Sequence, residues 1–153
     1  MQIIVVSDTH GLKRPLDYLL DKYPEADVFV HCGDICLPPE EYPRFLTVAG
    51  NNDYYDYPYE KIIRVKNHRM LVLHSHLFGY LKREERMLKR ADECDCDIIC
   101  YGHTHVADNR IVDGKYLLNP GSFYHSRDGR PPSYAIINLD DDEVNIEVQF
   151  VAS

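Results

Sequence analysis

Asp8 and His10 stand two residues apart directly after the apolar run Ile3-Ile4-Val5-Val6. Successive side chains of a strand alternate faces, so residues i and i+2 just past its end can converge on one point above a sheet. A carboxylate and an imidazole so placed can hold a metal ion; they can equally be the polar residues of an ordinary strand-to-loop turn. The pattern recurs along the chain. Val28-Phe29-Val30 runs into His31-Cys32-Gly33-Asp34, and Phe45-Leu46-Thr47-Val48-Ala49 into Gly50-Asn51-Asn52-Asp53. Met70-Leu71-Val72-Leu73 delivers His74-Ser75-His76, and Asp97-Ile98-Ile99-Cys100-Tyr101 delivers Gly102-His103-Thr104-His105. In open α/β sheets ligands gather at the carboxyl ends of strands, so these endings predict one shared crevice. Its donor set is Asp8, His10, Asp34, Asn51, His74, His103 and His105. Imidazoles with few carboxylates and one amide suit Mn, Fe, Ni, Co or Zn better than an all-oxygen cage for Mg or Ca. Seven such donors are too many for one ion. Two ions sharing a carboxylate could use them, an arrangement that activates a bridging water for attack on phosphorus.

The intervening residues supply the scaffold. Residues 2 to 7 read as a strand covered on both faces, being continuously apolar. Pro15 suits a helix's first turn, and Leu16, Leu19, Leu20 and Tyr23 recur at helical spacing until Pro24 ends it. Residues 61 to 66 and 70 to 74 form a hairpin around Asn67-His68, with His68 a turn residue. A helix is expected over 80–93, with Leu81, Met87, Leu88 and Ala91 on its buried stripe and mixed charges on its solvated face. Asp113-Gly114 marks a hairpin between Arg110-Ile111-Val112 and Tyr116-Leu117-Leu118, leading to Asn119-Pro120-Gly121-Ser122. Ser133 to Leu139 and Val144 to Val151 form a terminal hairpin. One domain, residues 1–153, is expected at this length.

Composition narrows the class. Twenty-five acidic residues against 17 basic give a net charge of −8, which argues against a protein that chiefly neutralises nucleic-acid phosphates. The apolar run from residue 3 stops at Val6, too short for a signal-peptide core, and no stretch approaches a membrane span, so a cytoplasmic location without membrane attachment is expected. Five cysteines in such a chain argue against a disulfide framework. Neither Cys32-x3-Cys36 nor Cys94-Asp95-Cys96 has the spacing of a structural zinc site, so buried thiols are expected. His31 and His125 read as core or surface histidines rather than ligands. Four tyrosines within residues 54 to 59, beside Pro58, read as packing or interface residues ahead of substrate-stacking ones.

In order, the blocks Asp8-Thr9-His10, Gly33-Asp34, Gly50-Asn51-Asn52-Asp53, His74 and Gly102-His103-Thr104-His105 resemble those of the calcineurin-like metallophosphoesterases, specifically their small single-domain phosphodiesterase branch. The resemblance covers nearly the whole chain. It implies an α/β (α+β) fold of four layers, a two-sheet β-sandwich flanked by helices. It also implies that Asp8, His10 and His105 bind one metal, that Asn51, His74 and His103 bind the other, and that Asp34 bridges them. Asp34, Asn51 and His76 are the residues expected to serve catalysis. His76 is either a substrate-side group or a support for the ligands, and Asp53 orients Asn51 or a loop. Asn119-Pro120-Gly121-Ser122 resembles a further family block that places backbone donors or packs the site from below.

One departure stands out. Where larger phosphatases of the superfamily carry a histidine after the Gly-Asn pair, this chain has Asn52, whose amide cannot serve as a general acid at neutral pH. Leaving-group protonation is left to His76, to water, or to nothing. The expected reaction is hydrolysis of a small phosphate ester, most readily a diester, with two divalent transition-metal ions, manganese first among them. A site holding two such ions, two carboxylates and a hydroxide carries about +1 and suits a singly charged diester. Some relatives of this fold, including a subunit of the retromer sorting coat, serve chiefly in protein binding, so a non-catalytic scaffold is the rival from another class. A nuclease would need a basic groove that this sequence does not display. Exposed tyrosines would suit a homo-oligomer interface.

Overall fold

Ile3 to Val6 are all fully buried because β1 (Gln2–Val6) is covered on both faces. Their alternation shows by what: Ile3 and Val5 join the cluster between two sheets, whereas Ile4 and Val6 pack under helix α1 (Arg14–Lys22) with Leu16 and Leu19. The computed structural model describes residues 1–124 and 127–151; His125 lies outside them.

β1 is central in the first sheet. It pairs in parallel with β2 (Val28–His31), which pairs in parallel with β3 (Phe45–Thr47). On its other side lie the antiparallel strands β9 (Ser133–Leu139) and β10 (Val144–Phe150), giving the order β10-β9-β1-β2-β3. The second sheet comprises β4 (Glu60–Val65), β5 (His68–Leu73), β6 (Ile98–Cys100), β7 (Asp108–Val112) and β8 (Lys115–Asn119) in the order β4-β5-β6-β8-β7. Its three inner strands β5, β6 and β8 are parallel. Met70, Val72, Ile98, Cys100 and Leu118 face the first sheet, while Leu71, Leu73, Ile99 and Leu117 face helix α2 (Arg83–Glu93) through Met87, Leu88 and Ala91. The result is four layers, helix, sheet, sheet, helix. Each fully buried aliphatic side chain contributes about 1.5–3 kcal/mol relative to exposure.

Local differences from the sequence reading have local causes. The second helix starts at Arg83 rather than residue 80, because Lys82 adopts a left-handed conformation (φ 58°) that helix geometry excludes. Leu81, expected on the buried stripe, is therefore 75% exposed. His68 is not a turn residue: the turn is made by Lys66 and Asn67, with Lys66 at φ 55°, and His68 opens β5. Its Nδ1 lies 2.6 Å from Asp97 Oδ2 and its Nε2 3.1 Å from the Asp140 carbonyl, so it ties together three segments. β3 ends at Thr47, two residues early, and Val48 and Ala49 continue as buried coil toward the next loop. Cys32 and Cys100 are buried between the sheets and Cys96 under α2. Burial pushes the Cys100 thiol up to about 12. No helix among the described residues is long and apolar enough to cross a membrane.

Candidate metal centre

The loops that follow β1 and β2 are zipped together by backbone hydrogen bonds. Asp8 N–H donates to the Gly33 carbonyl (3.0 Å), His10 N–H to that of Asp34 (2.9 Å) and Gly11 N–H to that of Ile35 (2.9 Å). Adjacent parallel strands thus carry Asp8, His10 and Asp34 forward side by side. The loop after β3 joins them through Asp53, whose carboxylate accepts from the N–H groups of Asp34 (2.8 Å), Gly50 (2.7 Å) and Cys36 (2.8 Å). Asp53 therefore organises a loop, and its partners among the described residues are these N–H groups rather than Asn51.

Each carboxylate is held so as to leave an oxygen facing the crevice. Asp8 Oδ2 accepts from Ser7 Oγ (2.6 Å) and from His103 N–H (3.1 Å). Asp8 Oδ1 is buried and finds no hydrogen-bond donor among the described residues. Around it stand three imidazole Nε2 atoms, of His105 at 3.2 Å, His74 at 3.7 Å and His10 at 3.9 Å. Asp34 is gripped by Asn52, which donates from its backbone N–H to Oδ1 (2.8 Å) and from Nδ2 to Oδ2 (3.0 Å). Asp34 Oδ2 lies 3.4 Å from His74 Nε2 and 3.9 Å from His10 Nε2, between the two halves of the donor set. Asn52, excluded as an acid, thus has a positioning role that its residue type did not reveal.

The imidazoles are oriented for the same centre. His74 Nδ1 donates to the Cys32 carbonyl (2.8 Å), which orients the ring so that Nε2 points at Asp34 and Asp8. Asn51 Oδ1 lies 3.1 Å from His74 Nε2 and 3.1 Å from His103 Nδ1. His10 Nε2 and His105 Nε2 approach to 3.3 Å. Two clusters have donor atoms mutually within 4.8 Å: Asp8 with His10 and His105, and Asp8 with Asp34 and His74. All seven residues named from the sequence thus meet at one rim. The side chains of Asn51 and His103 contact one another and His74 rather than the carboxylates, which His103 meets through its backbone N–H, and Asp8 reaches toward both halves.

This donor set fits divalent cations. A buried carboxylate oxygen without a hydrogen bond, facing three aromatic nitrogens, is costly unless a cation fills the space between them. Charge coupling says the same. Burial alone would raise the Asp8 and Asp34 carboxyls, but His105 and His74 around Asp8, and His74 and Asn52 around Asp34, hold both below the usual carboxylate range. Burial opposes a charged His74, yet Asp34 and Asp8 outweigh it and raise its pKa. His103 is lowered to about 4 by burial and by His74.

Backbone conformation carries a further signature. Asp8, His10, Asp34, His103 and His105 all have positive φ, between 48° and 77°. Such conformations are uncommon outside glycine and cost roughly 1–3 kcal/mol each. Glycines make room beside them: a Cβ on Gly50 would lie 2.1 Å from Asp34 Oδ1, and one on Gly102 2.1 Å from Ser7 Oγ and 2.8 Å from Asp8 Oδ2. The last block packs the site from below. Asn119 Nδ2 donates to Thr104 Oγ1 (2.9 Å) and Ser122 Oγ to the Asp8 carbonyl (2.8 Å).

The profile of the calcineurin-like phosphoesterase superfamily domain matches residues 1–142. The chain belongs to this superfamily. A probable metallophosphoesterase of Bacillus subtilis, YsnB, is 34% identical over 151 residues, covering 95% of this chain and 89% of the relative. A crystal structure of a conserved Streptococcus pneumoniae protein, described as a predicted phosphoesterase, superposes with a TM-score of 0.90 at 29% identity, covering 97% of this chain and 88% of that one. A Vps29 variant from Entamoeba histolytica superposes with a TM-score of 0.81 at 26% identity, covering 97% and 91%. The four-layer fold and the metallophosphoesterase family thus agree with the sequence reading.

Three contacts around this calcineurin-like centre go beyond what the sequence indicated. Tyr124 packs against His10, with ring centroids 5.6 Å apart, and nothing in the spacing of the blocks points to it. Tyr59 faces His76 on the opposite side at 6.1 Å. His31 is buried, its Nδ1 accepting from Gly33 N–H (3.1 Å) and its Nε2 lying 2.9 Å from Thr9 Oγ1. It is a core histidine, as read, and it also ties the β2 ending to the β1 ending.

Proposed function

We propose that this protein hydrolyses phosphodiesters at a centre of two divalent transition-metal ions, manganese being the first choice and Ni, Fe, Co and Zn the alternatives. Asp8, His10 and His105 would hold one ion, Asn51, His74 and His103 the other, and Asp34 would lie between them. The observation that carries this reading is the buried Asp8 Oδ1 facing three imidazole nitrogens, the nearest, of His105, at 3.2 Å. When bound, the two ions would supply a water of lowered pKa and positive charge against which a phosphoryl group is attacked. The chain's own part is to fix geometry. Ser7 and the His103 N–H lock Asp8, Asn52 and Asp53 lock Asp34, and the Cys32 carbonyl fixes the His74 tautomer. Asp8 and Asp34 leave a site of net positive charge when two divalent ions are present, which favours a singly charged diester.

His76 stands beside the donors on the substrate side. Its ring lies 5.4 Å from that of His74 and 6.3 Å from that of His103, and its Nδ1 is buried without a partner among the described residues. It would meet the leaving-group oxygen, the role that Asn52 cannot fill. The test is metal analysis together with turnover of bis(p-nitrophenyl) phosphate. The protein should bind close to two transition-metal ions, and Asp34→Asn should abolish hydrolysis. His76→Ala should slow esters of poor leaving groups more than nitrophenyl esters. Undiminished hydrolysis after complete metal removal would overturn the mechanism.

A second reading, a protein-binding scaffold on the same fold, draws on the likeness to Vps29 and on Tyr54, 91% exposed directly after Asp53 in the chain. A scaffold has no need of five metal-type residues held in strained backbone conformations at three strand ends. The same assay separates the two, since a scaffold would capture its partner without metal and without turnover.

A further inference from the structure

A cavity of about 270 Å³ opens beside the metal centre, and His74 belongs to both. Ser75, in a left-handed conformation (φ 82°), turns the chain sharply after His74, so that the short 3-10 helix His76–Phe78 folds back as the cavity's wall. Tyr59, from the loop before β4, closes the opposite wall. The walls are apolar and only partly covered: Tyr59 is 61% exposed and Leu77 65%, although both line a concave surface. At the far side Arg90 meets Glu60. Its Nε lies 3.1 Å from both Glu60 oxygens, and its Nη2 makes a further bond to Oε1. Among the described residues that line the cavity, these two charged side chains are spent on each other, which leaves neither free for a second phosphate, a carboxylate or an ammonium.

We infer that this cavity is the specificity subsite for the organic arm of the ester, and that it takes a planar, uncharged ring. The inference rests on the phosphodiesterase reading and adds the substrate class to it. Because the cavity shares His74 with the donor set, an ester's organic arm seated there would lie beside the site. A volume equal to about nine water molecules accommodates one ring system and not an extended chain of residues or nucleotides. Tyr59 and His76, with ring centroids 6.1 Å apart, offer aromatic faces beside which a ring can stack, and Leu77 and Phe78 offer apolar contact. The side chains that gain most from a bound ring are those the free protein leaves exposed.

The subsite is tested with phosphonates, whose P–C bond is not hydrolysed, titrated by calorimetry into manganese-loaded protein. Phenylphosphonate should bind roughly ten- to a hundredfold more tightly than methylphosphonate, the discrimination typical of an apolar pocket. 4-Sulfophenylphosphonate, which adds a charge to the ring, should lose most of that advantage. The double variant Tyr59→Ala/Leu77→Ala removes two exposed side chains outside the donor set. It should leave methylphosphonate affinity unchanged and bring the phenyl-to-methyl ratio within about threefold. Equal binding of phenyl- and methylphosphonate by the wild-type protein, or a preference that survives the double variant, overturns the subsite. Failure of the underlying reading shows differently: bis(p-nitrophenyl) phosphate would not be turned over, whatever the phosphonate ratio.

Discussion

The buried His31 sets a pH dependence of stability that can be worked in advance. Gly33 N–H donates to His31 Nδ1, so that nitrogen must keep its lone pair and the ring proton must sit on Nε2, directed at Thr9 Oγ1. A second proton would place N–H against N–H inside a fully buried ring site. Burial first, and the neighbouring His74 and His10 after it, lower the His31 pKa from 6.5 to about 3 against the opposing pull of Asp8 and Asp34. The unfolded chain binds this proton below pH 6.5 and the native protein does not. The contribution of His31 to stability therefore falls as pH drops through 6.5 and levels off near pH 3. Linkage gives a loss of about 2 kcal/mol at pH 5 and about 3 kcal/mol at pH 4, relative to pH 7.

The perturbation is His31→Phe, which keeps an aromatic ring of similar size and cannot titrate. At pH 7 it should cost roughly 1–3 kcal/mol, because Thr9 and the Gly33 N–H lose their partner. Urea unfolding of both proteins, in chelator and between pH 4 and pH 7.5, gives the difference in stability at each pH, and the titrations common to both largely cancel. The wild-type advantage should shrink by about 3 kcal/mol toward pH 4 and vanish or reverse. A difference that stays constant with pH would mean that His31 accepts its second proton in the native state, and the hydrogen-bond argument for its tautomer would be wrong.

Two further outcomes follow from the site. Gly50→Ala would drive a Cβ into Asp34, 2.1 Å from Oδ1 and 2.5 Å from its backbone nitrogen, so metal affinity should fall roughly 10–100-fold along with about 1–3 kcal/mol of stability. Gly114→Ala, in a hairpin turn at φ 77° with nothing within 4 Å of the new Cβ, should cost stability and leave metal affinity intact; calorimetric titration of Mn²⁺ separates the two. Addition of Mn²⁺ at about a hundred times the Kd of a site should stabilise the protein by about 2.7 kcal/mol for each ion so bound, or roughly 5–11 °C per ion in thermal unfolding. Melting curves that coincide with and without chelator would show that the donor set does not hold the ion.

What the sequence shows of this molecule is what residue type and period can carry. The continuous apolar runs of β1 and β5 and the spacing of Leu16, Leu19 and Leu20 are read directly, because burial on two faces or on one stripe imposes a pattern on hydrophobicity. The donors are read too, because only a few side chains can ligate and each sits just past an apolar run. What holds the donors is invisible, since it acts largely through atoms that every residue has. Asp53 reaches three backbone N–H groups, Ser122 a carbonyl more than a hundred positions away, and Asn52 the carboxylate of Asp34 across 18 positions. The error at Leu81 has the same origin: its apolar side chain fits the helical period, and the left-handed turn at Lys82 that breaks the period is a backbone event. The left-handed conformation of five predicted ligands belongs to this hidden class, and it bears most directly on function. A loop that needs only polar residues for solubility relaxes out of such conformations, because nothing repays the strain. Here strand pairing, glycine clearance and buried clamps converge to keep the strain in place, and the feature they share is that Asp8 Oδ1, Asp34 Oδ2 and the imidazole nitrogens end up facing one space.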